Sequence, residues 1–286
     1  SGPAGGLRAA KRLSTRTDPV LATIPRLARN PGMHGIELTS HLLTHADPES
    51  SGAEAFRMLR TSVTFAGLDR PLKTILITSP GPGEGKSTVA VNLATVLAQS
   101  GSRTLLIDAD LRRPVLHTVF NRRKKPGLTD LILSGRPVDG IAFATGVDSL
   151  FCLASGTIPP SPADVLNSGA ANSLLERLSR EYDHLVIDSP PVLVAADAAI
   201  LAARADATVL VVRASRTSLE ALEHARRNLL STGARLLGLV LNGTRTSRHS
   251  GSYYYRYHYG LRTGDAAPVE TAPAEDKTVR RPQFEV

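Results

Sequence analysis

The stretch Thr74-Ile-Leu-Ile-Thr-Ser-Pro-Gly-Pro-Gly-Glu-Gly-Lys-Ser-Thr88 governs the reading of everything around it. A short apolar run leads into a glycine loop, and Lys-Ser-Thr then opens a segment of helical period. In that arrangement successive backbone N–H groups and the positive helix end converge on a phosphate anion. Gly81, Gly83 and Gly85 allow the close backbone approach. Lys86 is the telling residue. A cation in the first turn of a helix opposes the macrodipole, at a cost of a few tenths of a kcal/mol to about 1 kcal/mol unless an anion lies between them. A nucleotide phosphate would be that anion. The expected cradle is Gly83, Glu84, Gly85, Lys86, Ser87 and Thr88, with ATP as its ligand and the Ser87 hydroxyl directed to Mg²⁺. The strict phosphate-loop pattern has glycine where Pro80 stands.

Two further apolar runs end in acid. Leu105-Leu-Ile-Asp-Ala-Asp-Leu-Arg-Arg-Pro114 sets Asp108 and Asp110 two residues apart, where they repel each other unless a cation shares them. Mg²⁺ on the nucleotide is the natural cation, and a remaining carboxylate oxygen can take a proton from an incoming hydroxyl. His184-Leu-Val-Ile-Asp-Ser-Pro-Pro191 ends in Asp188, the form of a Walker B acid, and the two prolines force the chain to turn there. The metal candidates are thus Ser87, Asp108 and Asp188. Catalysis is expected from Lys86, Asp108 and Asp110.

Working outward, residues from Lys73 to Asn242 alternate short apolar runs with longer segments of helical period. That pattern predicts an α/β fold of the P-loop NTPase type, a mostly parallel sheet with helices on both faces. Strands are expected over 74–78, 104–107, 185–187, 208–212 and 236–241, with 150–153 a weaker candidate. Helices are expected to begin at Gly85, Ser168 and Ser218. Residues 1–50 read as a flexible arm, 51–248 as the P-loop domain, and 249–286 as an aromatic cluster followed by a disordered tail.

Composition narrows the setting. The single cysteine, Cys152, excludes an intrachain disulfide framework. The net charge of +8 raises the question of nucleic acid, yet the basic residues are scattered and only Arg122-Arg-Lys-Lys125 is dense; a solvated loop is the expectation for it. No apolar stretch reaches the ~18 residues that span a bilayer.

Five of the six tyrosines crowd into Gly251-Ser-Tyr-Tyr-Tyr-Arg-Tyr-His-Tyr-Gly260. Tyr253, Tyr254, Tyr255, Tyr257 and Tyr259 follow no helical stripe, and Arg256 and His258 argue against a buried strand. A phosphate-donor loop and a cluster of phenols in one chain suggest a kinase acting on its own kind. Stacking on single-stranded nucleic acid is the lesser reading, and no nucleic-acid partner is expected.

From about Glu54 to Tyr259 the chain resembles the bacterial tyrosine kinases, which couple to polysaccharide co-polymerases in capsule and exopolysaccharide export. The likeness rests on Glu54-Ala-Phe-Arg-Met-Leu-Arg60, the cradle, Asp108-Ala-Asp-Leu-Arg-Arg-Pro114, Gly127-Leu-Thr-Asp-Leu131, Asp188-Ser-Pro-Pro191 and the tyrosine cluster. It implies that Lys86 and Ser87 hold ATP and Mg²⁺, that Asp108 is the base, and that the tail tyrosines are phosphorylated in trans. It also implies a ring of subunits joined through Glu54, Arg57 and Arg60, and a juxtamembrane character for the first arm. A membrane activator, fused or separate, a protein-tyrosine phosphatase partner and a place at the cytoplasmic face of the bacterial inner membrane follow from the same likeness. Two alternatives remain. A partition or cell-division ATPase of the deviant Walker A class would carry a lysine where Gly81 stands. A nucleotide-dependent scaffold of an export complex would keep the fold without catalysis.

Overall fold

Aliphatic runs become strands buried on both faces, because consecutive residues of each run serve opposite sides of one sheet. The computed structural model describes residues 18–26, 42–135 and 140–244. In chain order the strands are β1 (Val20–Pro25), β2 (Thr74–Thr78), β3 (Thr104–Asp108), β4 (Phe143–Ala144), β5 (Leu150–Leu153), β6 (His184–Asp188), β7 (Ala207–Arg213) and β8 (Leu236–Thr244). The helices are α1 (Leu43–Ala46), α2 (Ser51–Ala66), α3 (Lys86–Gln99), α4 (Leu116–Val119) and α5 (Leu128–Ser134). They continue with α6 (Pro162–Asn167), α7 (Gly169–Glu181), α8 (Asp197–Ala202) and α9 (Leu219–Ser231).

The sheet order is β1-β8-β7-β2-β6-β3-β5-β4, parallel except for the β4–β5 pair. On one face Ile75, Ile77, Leu106, Val186, Val209 and Val211 pack with α2 and α3. On the other, Leu76, Leu105, Ile107, Leu185, Ile187 and Leu210 pack with α5 to α9. Every residue from Val89 to Ala98 of α3 is buried, as expected of a helix apolar on nearly all sides beneath a central loop. Ser168 and Ser218 cap α7 and α9 by accepting the N–H groups of Ala171 and Ala221. No described helix is long and apolar enough to cross a membrane.

The expectation of a loose arm over residues 1–50 does not hold for Val20–Pro25. This segment pairs in parallel with β8, buries Ala22 and Ile24, and is tied to α2 where the Ser62 hydroxyl donates to the Leu21 carbonyl at 3.0 Å. Asp18 adds an ion pair with Arg226 of α9 at 2.6 Å. The tail tyrosines 253–259 lie outside the described residues. The sixth, Tyr182, is buried beside Phe151, and both rings face the Arg103 guanidinium, at 5.0 Å and 5.3 Å.

Candidate active site

The order β2-β6-β3 explains how residues a hundred positions apart meet. β6 inserts between β2, which feeds the glycine loop, and β3, which carries the paired acids. Asp108 and Asp188 are register partners across β3 and β6. All three strands run the same way, so the loop and the acids share the carboxyl edge of the sheet. The turn after Asp188 staples the loop in place. Thr78 donates its hydroxyl to the Pro190 carbonyl at 2.9 Å, and the N–H of Val192 donates to the Ser79 carbonyl at 2.9 Å. Pro80, the departure from the glycine pattern, supplies a carbonyl to the Leu193 N–H.

Gly85 caps α3 with φ of 96°, a conformation that favours glycine, and a β-carbon there would come within 2.0 Å of Asn242 Nδ2. Asn242, near the end of β8, donates to the Glu84 carbonyl at 2.8 Å. Lys86 follows directly. Its ammonium lies 2.8 Å from Asp110 Oδ2, 3.9 Å from Asp188 Oδ1 and 3.4 Å from the Ser87 hydroxyl. The anion that offsets the helix dipole is thus present within the protein as a carboxylate. Burial works against the Lys86 charge, but Asp188, Asp110 and Asp108 together outweigh it and hold the group above its ordinary range.

Asp108, Asp110 and Asp188 are all buried. Asp108 Oδ2 accepts the N–H groups of Val115 and Leu116 at 3.1 Å and 2.9 Å, and Asp110 Oδ1 accepts that of Arg113 at 3.0 Å. Asp108 Oδ1 and both Asp188 oxygens lack a well-formed hydrogen bond among the described residues, although the Ser87 hydroxyl is near enough to Asp188 to favour its charged form. Burial, reinforced by the neighbouring Asp188, pushes Asp108 well above the usual carboxylate range; burial raises Asp188 to about 6 against the pull of Lys86. Three acids against one ammonium, with bare hard oxygens, suit a divalent cation. Among the described residues no three His, Cys, Asp or Glu side chains are arranged to hold a metal by themselves. A site of this kind fits Mg²⁺, which keeps water and phosphate among its ligands.

Not every expected residue points into this cluster. The Glu84 side chain turns away, accepting the Thr217 hydroxyl at 2.9 Å beyond β7, and burial raises its carboxyl to about 7. Glu84 therefore braces the loop from behind. Glu54 and Arg57 form an ion pair at 2.9 Å on the exposed face of α2, whereas Arg60 donates to the Val96 carbonyl of α3 at 3.2 Å. Arg60 thus secures the packing of α2 on α3. The sequence reading missed Asn242, Thr217 and Asp197. Asp197 is fully buried and takes a two-pronged contact from Arg112, at 3.0 Å and 3.2 Å, which anchors the acid-bearing turn to α8. A polar residue closing the apolar run of β8 was the one local signal for Asn242. Arg112 and Asp197 stand 85 positions apart and offer none.

A family model described as an AAA domain matches residues 72–232. The tyrosine-protein kinase YwqD of Bacillus subtilis strain 168 is 40% identical over 221 residues, covering 77% of this chain and 93% of that relative. The chain belongs to the bacterial tyrosine kinase family. Protein-tyrosine kinase is accordingly its enzyme class. The kinase is also 33% identical over 246 residues to the tyrosine-protein kinase ptk of Acinetobacter johnsonii, covering 85% of this chain and 34% of that longer relative. Its fold is similar to the kinase domain of the Escherichia coli tyrosine kinase ETK, with a TM-score of 0.74 at 28% identity over 91% of this chain and 98% of that one.

Proposed function

We propose that this kinase moves the γ-phosphoryl group of ATP to Tyr253, Tyr254, Tyr255, Tyr257 and Tyr259 of a neighbouring copy within a homo-oligomer. The observation that carries this reading is the Lys86 ammonium set among Asp110, Asp188 and Asp108 at the mouth of the glycine loop. Backbone N–H groups of 83–88 and Lys86 hold the β- and γ-phosphates. Ser87 and Asp188 would hold Mg²⁺, which supplies charge neutralisation on those phosphates, while Asp108 keeps Oδ1 free for the substrate. The phenol oxygen bonds to the γ-phosphorus, the bond from that phosphorus to the β-phosphate oxygen breaks, and ADP leaves. Asp108 takes the phenolic proton on Oδ1, the oxygen not held by backbone N–H groups. Burial, which raises its pKa, strengthens it as a proton acceptor. The kinship supports the setting: a cytoplasmic kinase module at the inner membrane, activated by a membrane co-polymerase segment, opposed by a phosphatase, and regulating capsule or exopolysaccharide export. Glu54 and Arg57 on the exposed face of α2, with Arg60, form the contact between copies.

Incubation with ATP and Mg²⁺, followed by mass spectrometry of the tail, tests this. Tail phosphotyrosine is expected in the wild type and none in Lys86→Met. ADP release without phosphotyrosine would instead indicate a partner-switching ATPase, and neither product would indicate a scaffold.

A further inference from the structure

The basic run Arg122–Lys125 remains unused by the reading above, yet its position relates it to the same edge of the sheet. The Lys124 carbonyl accepts the N–H of Gly156 at 3.1 Å, three residues past the end of β5. β5 is the neighbour of β3, with Leu153 in register with Ile107, the residue before Asp108. The run is therefore held past the carboxyl end of β5, the next strand out from the acid-bearing β3, with neighbouring strands about 5 Å apart. Arg122 stacks on Phe143 of β4, 5.8 Å from the ring centre, a second strand further out. The run thus lies at the carboxyl edge beside β5 and β4, the two strands outward of β3 on one side of Asp108.

They have charge to offer. Arg122, Arg123 and Lys125 are exposed, Lys124 is half-buried, and no described carboxylate forms an ion pair with any of them. The field is felt nearby: burial, and then the Lys124 charge, hold the His117 imidazole below its ordinary range. The ledge is fixed in place, since the adjoining Gly127 N–H donates to Asp130 at 2.9 Å and the Leu128 N–H to the Ala154 carbonyl at 2.8 Å.

The substrate has a matching spacing. Tyr253, Tyr255, Tyr257 and Tyr259 recur every second residue, so in a peptide bound extended they share one face at a pitch of about 7 Å. With one phenol at Asp108, the same-face tyrosines two and four residues away fall about 7 and 13 Å along the edge, the scale of the one and two strand spacings that separate β3 from β5 and β4. A phosphate there adds −1.5 to −2 charges, roughly, among guanidinium forks suited to it.

We propose that Arg122–Lys125 form a phosphotyrosine subsite beside the acceptor position, so that a tail phosphorylated at one tyrosine is the preferred substrate for the next, two or four residues away. This rests on the reading of the tail as substrate. The occupant is the tail of a second copy of this chain.

The test uses peptides of sequence 251–260 in which Tyr257 is the sole acceptor, the other tyrosines are replaced by phenylalanine, and position 259 carries either phosphotyrosine or phenylalanine. In the wild type the phosphorylated peptide is expected to show a KM about tenfold lower at similar kcat, an advantage that shrinks in high salt. In the double variant Arg123→Ala, Lys125→Ala that advantage falls within twofold, while KM for the unphosphorylated peptide and nucleotide binding stay unchanged. Fluorescence anisotropy with a phosphopeptide lacking any acceptor reads the subsite without catalysis, so loss of the subsite is distinguishable from failure of the kinase reading. Equal KM values for the two peptides in the wild type, or an undiminished preference in the double variant, would overturn the proposal. So would binding of the run to phosphatidylglycerol vesicles with no preference between peptides, which assigns it to a lipid surface.

Discussion

Lys86 has two claims on it. The Asp110 carboxylate at 2.8 Å holds the ammonium that the proposed reading gives to a nucleotide phosphate, so the two anions would compete for it. Asp110→Asn removes the competitor. Nucleotide affinity measured calorimetrically without Mg²⁺ is expected to rise roughly three- to tenfold, the worth of a pair of about 1 kcal/mol. Tail phosphorylation is expected to fall in the same variant. Glu84 makes a second prediction at this scale. Its carboxyl is raised by burial to about 7 in the folded protein, from an ordinary 4.5. As pH rises through that window the unfolded chain releases the proton while the folded one retains it, so the folded state loses stability between pH 4.5 and 7. Glu84→Gln keeps an acceptor for Thr217 and removes this loss. Urea denaturation should show the variant more stable at pH 8 by roughly 3 kcal/mol, with no such gain near pH 4.5.

At the scale of elements, β1 separates two views of the first fifty residues. If Val20–Pro25 were a loose arm, truncating Ile24 would cost nothing; as a fully buried residue beside Asn242, Ile24→Ala should cost about 2 to 4 kcal/mol in a denaturant titration. The five central strands and the caps at Gly85, Ser168 and Ser218 were legible in the sequence because each carries its own signal: an aliphatic run, or a glycine or serine ahead of a periodic segment. β1 was not, since its apolar run is only a few residues long, its partner in the sheet lies more than two hundred positions away, and it is bounded by prolines and charge. The gathering of Lys86, Ser87, Asp108, Asp110 and Asp188 was legible because each terminates or follows a recognisable strand. The direction of the Glu84 side chain and the Arg112–Asp197 anchor depend on packing between segments that share no local pattern.

For the whole molecule, transfer between copies predicts a bimolecular rate. Initial phosphotyrosine per chain should rise with protein concentration, whereas transfer within one chain would leave it constant. A mixture gives the sharper form. Protein ending at Thr244 keeps the loop and acids but lacks the tail tyrosines, and Tyr182 is buried against Phe151 and Arg103. That truncated protein should stay unlabelled by radioactive ATP yet label the tail of Lys86→Met protein added to it, and an unlabelled Lys86→Met partner would rule out transfer between copies. The burial of Tyr182 has an optical consequence as well. The chain has no tryptophan, so no indole drains or masks phenol emission. Phosphorylated phenols emit weakly, while the enclosed Tyr182 gives a steady background. If the five remaining phenols are the acceptors proposed above, near-ultraviolet fluorescence of the unmodified protein should dim as they are consumed, so that the kinase reports its own progress without a label.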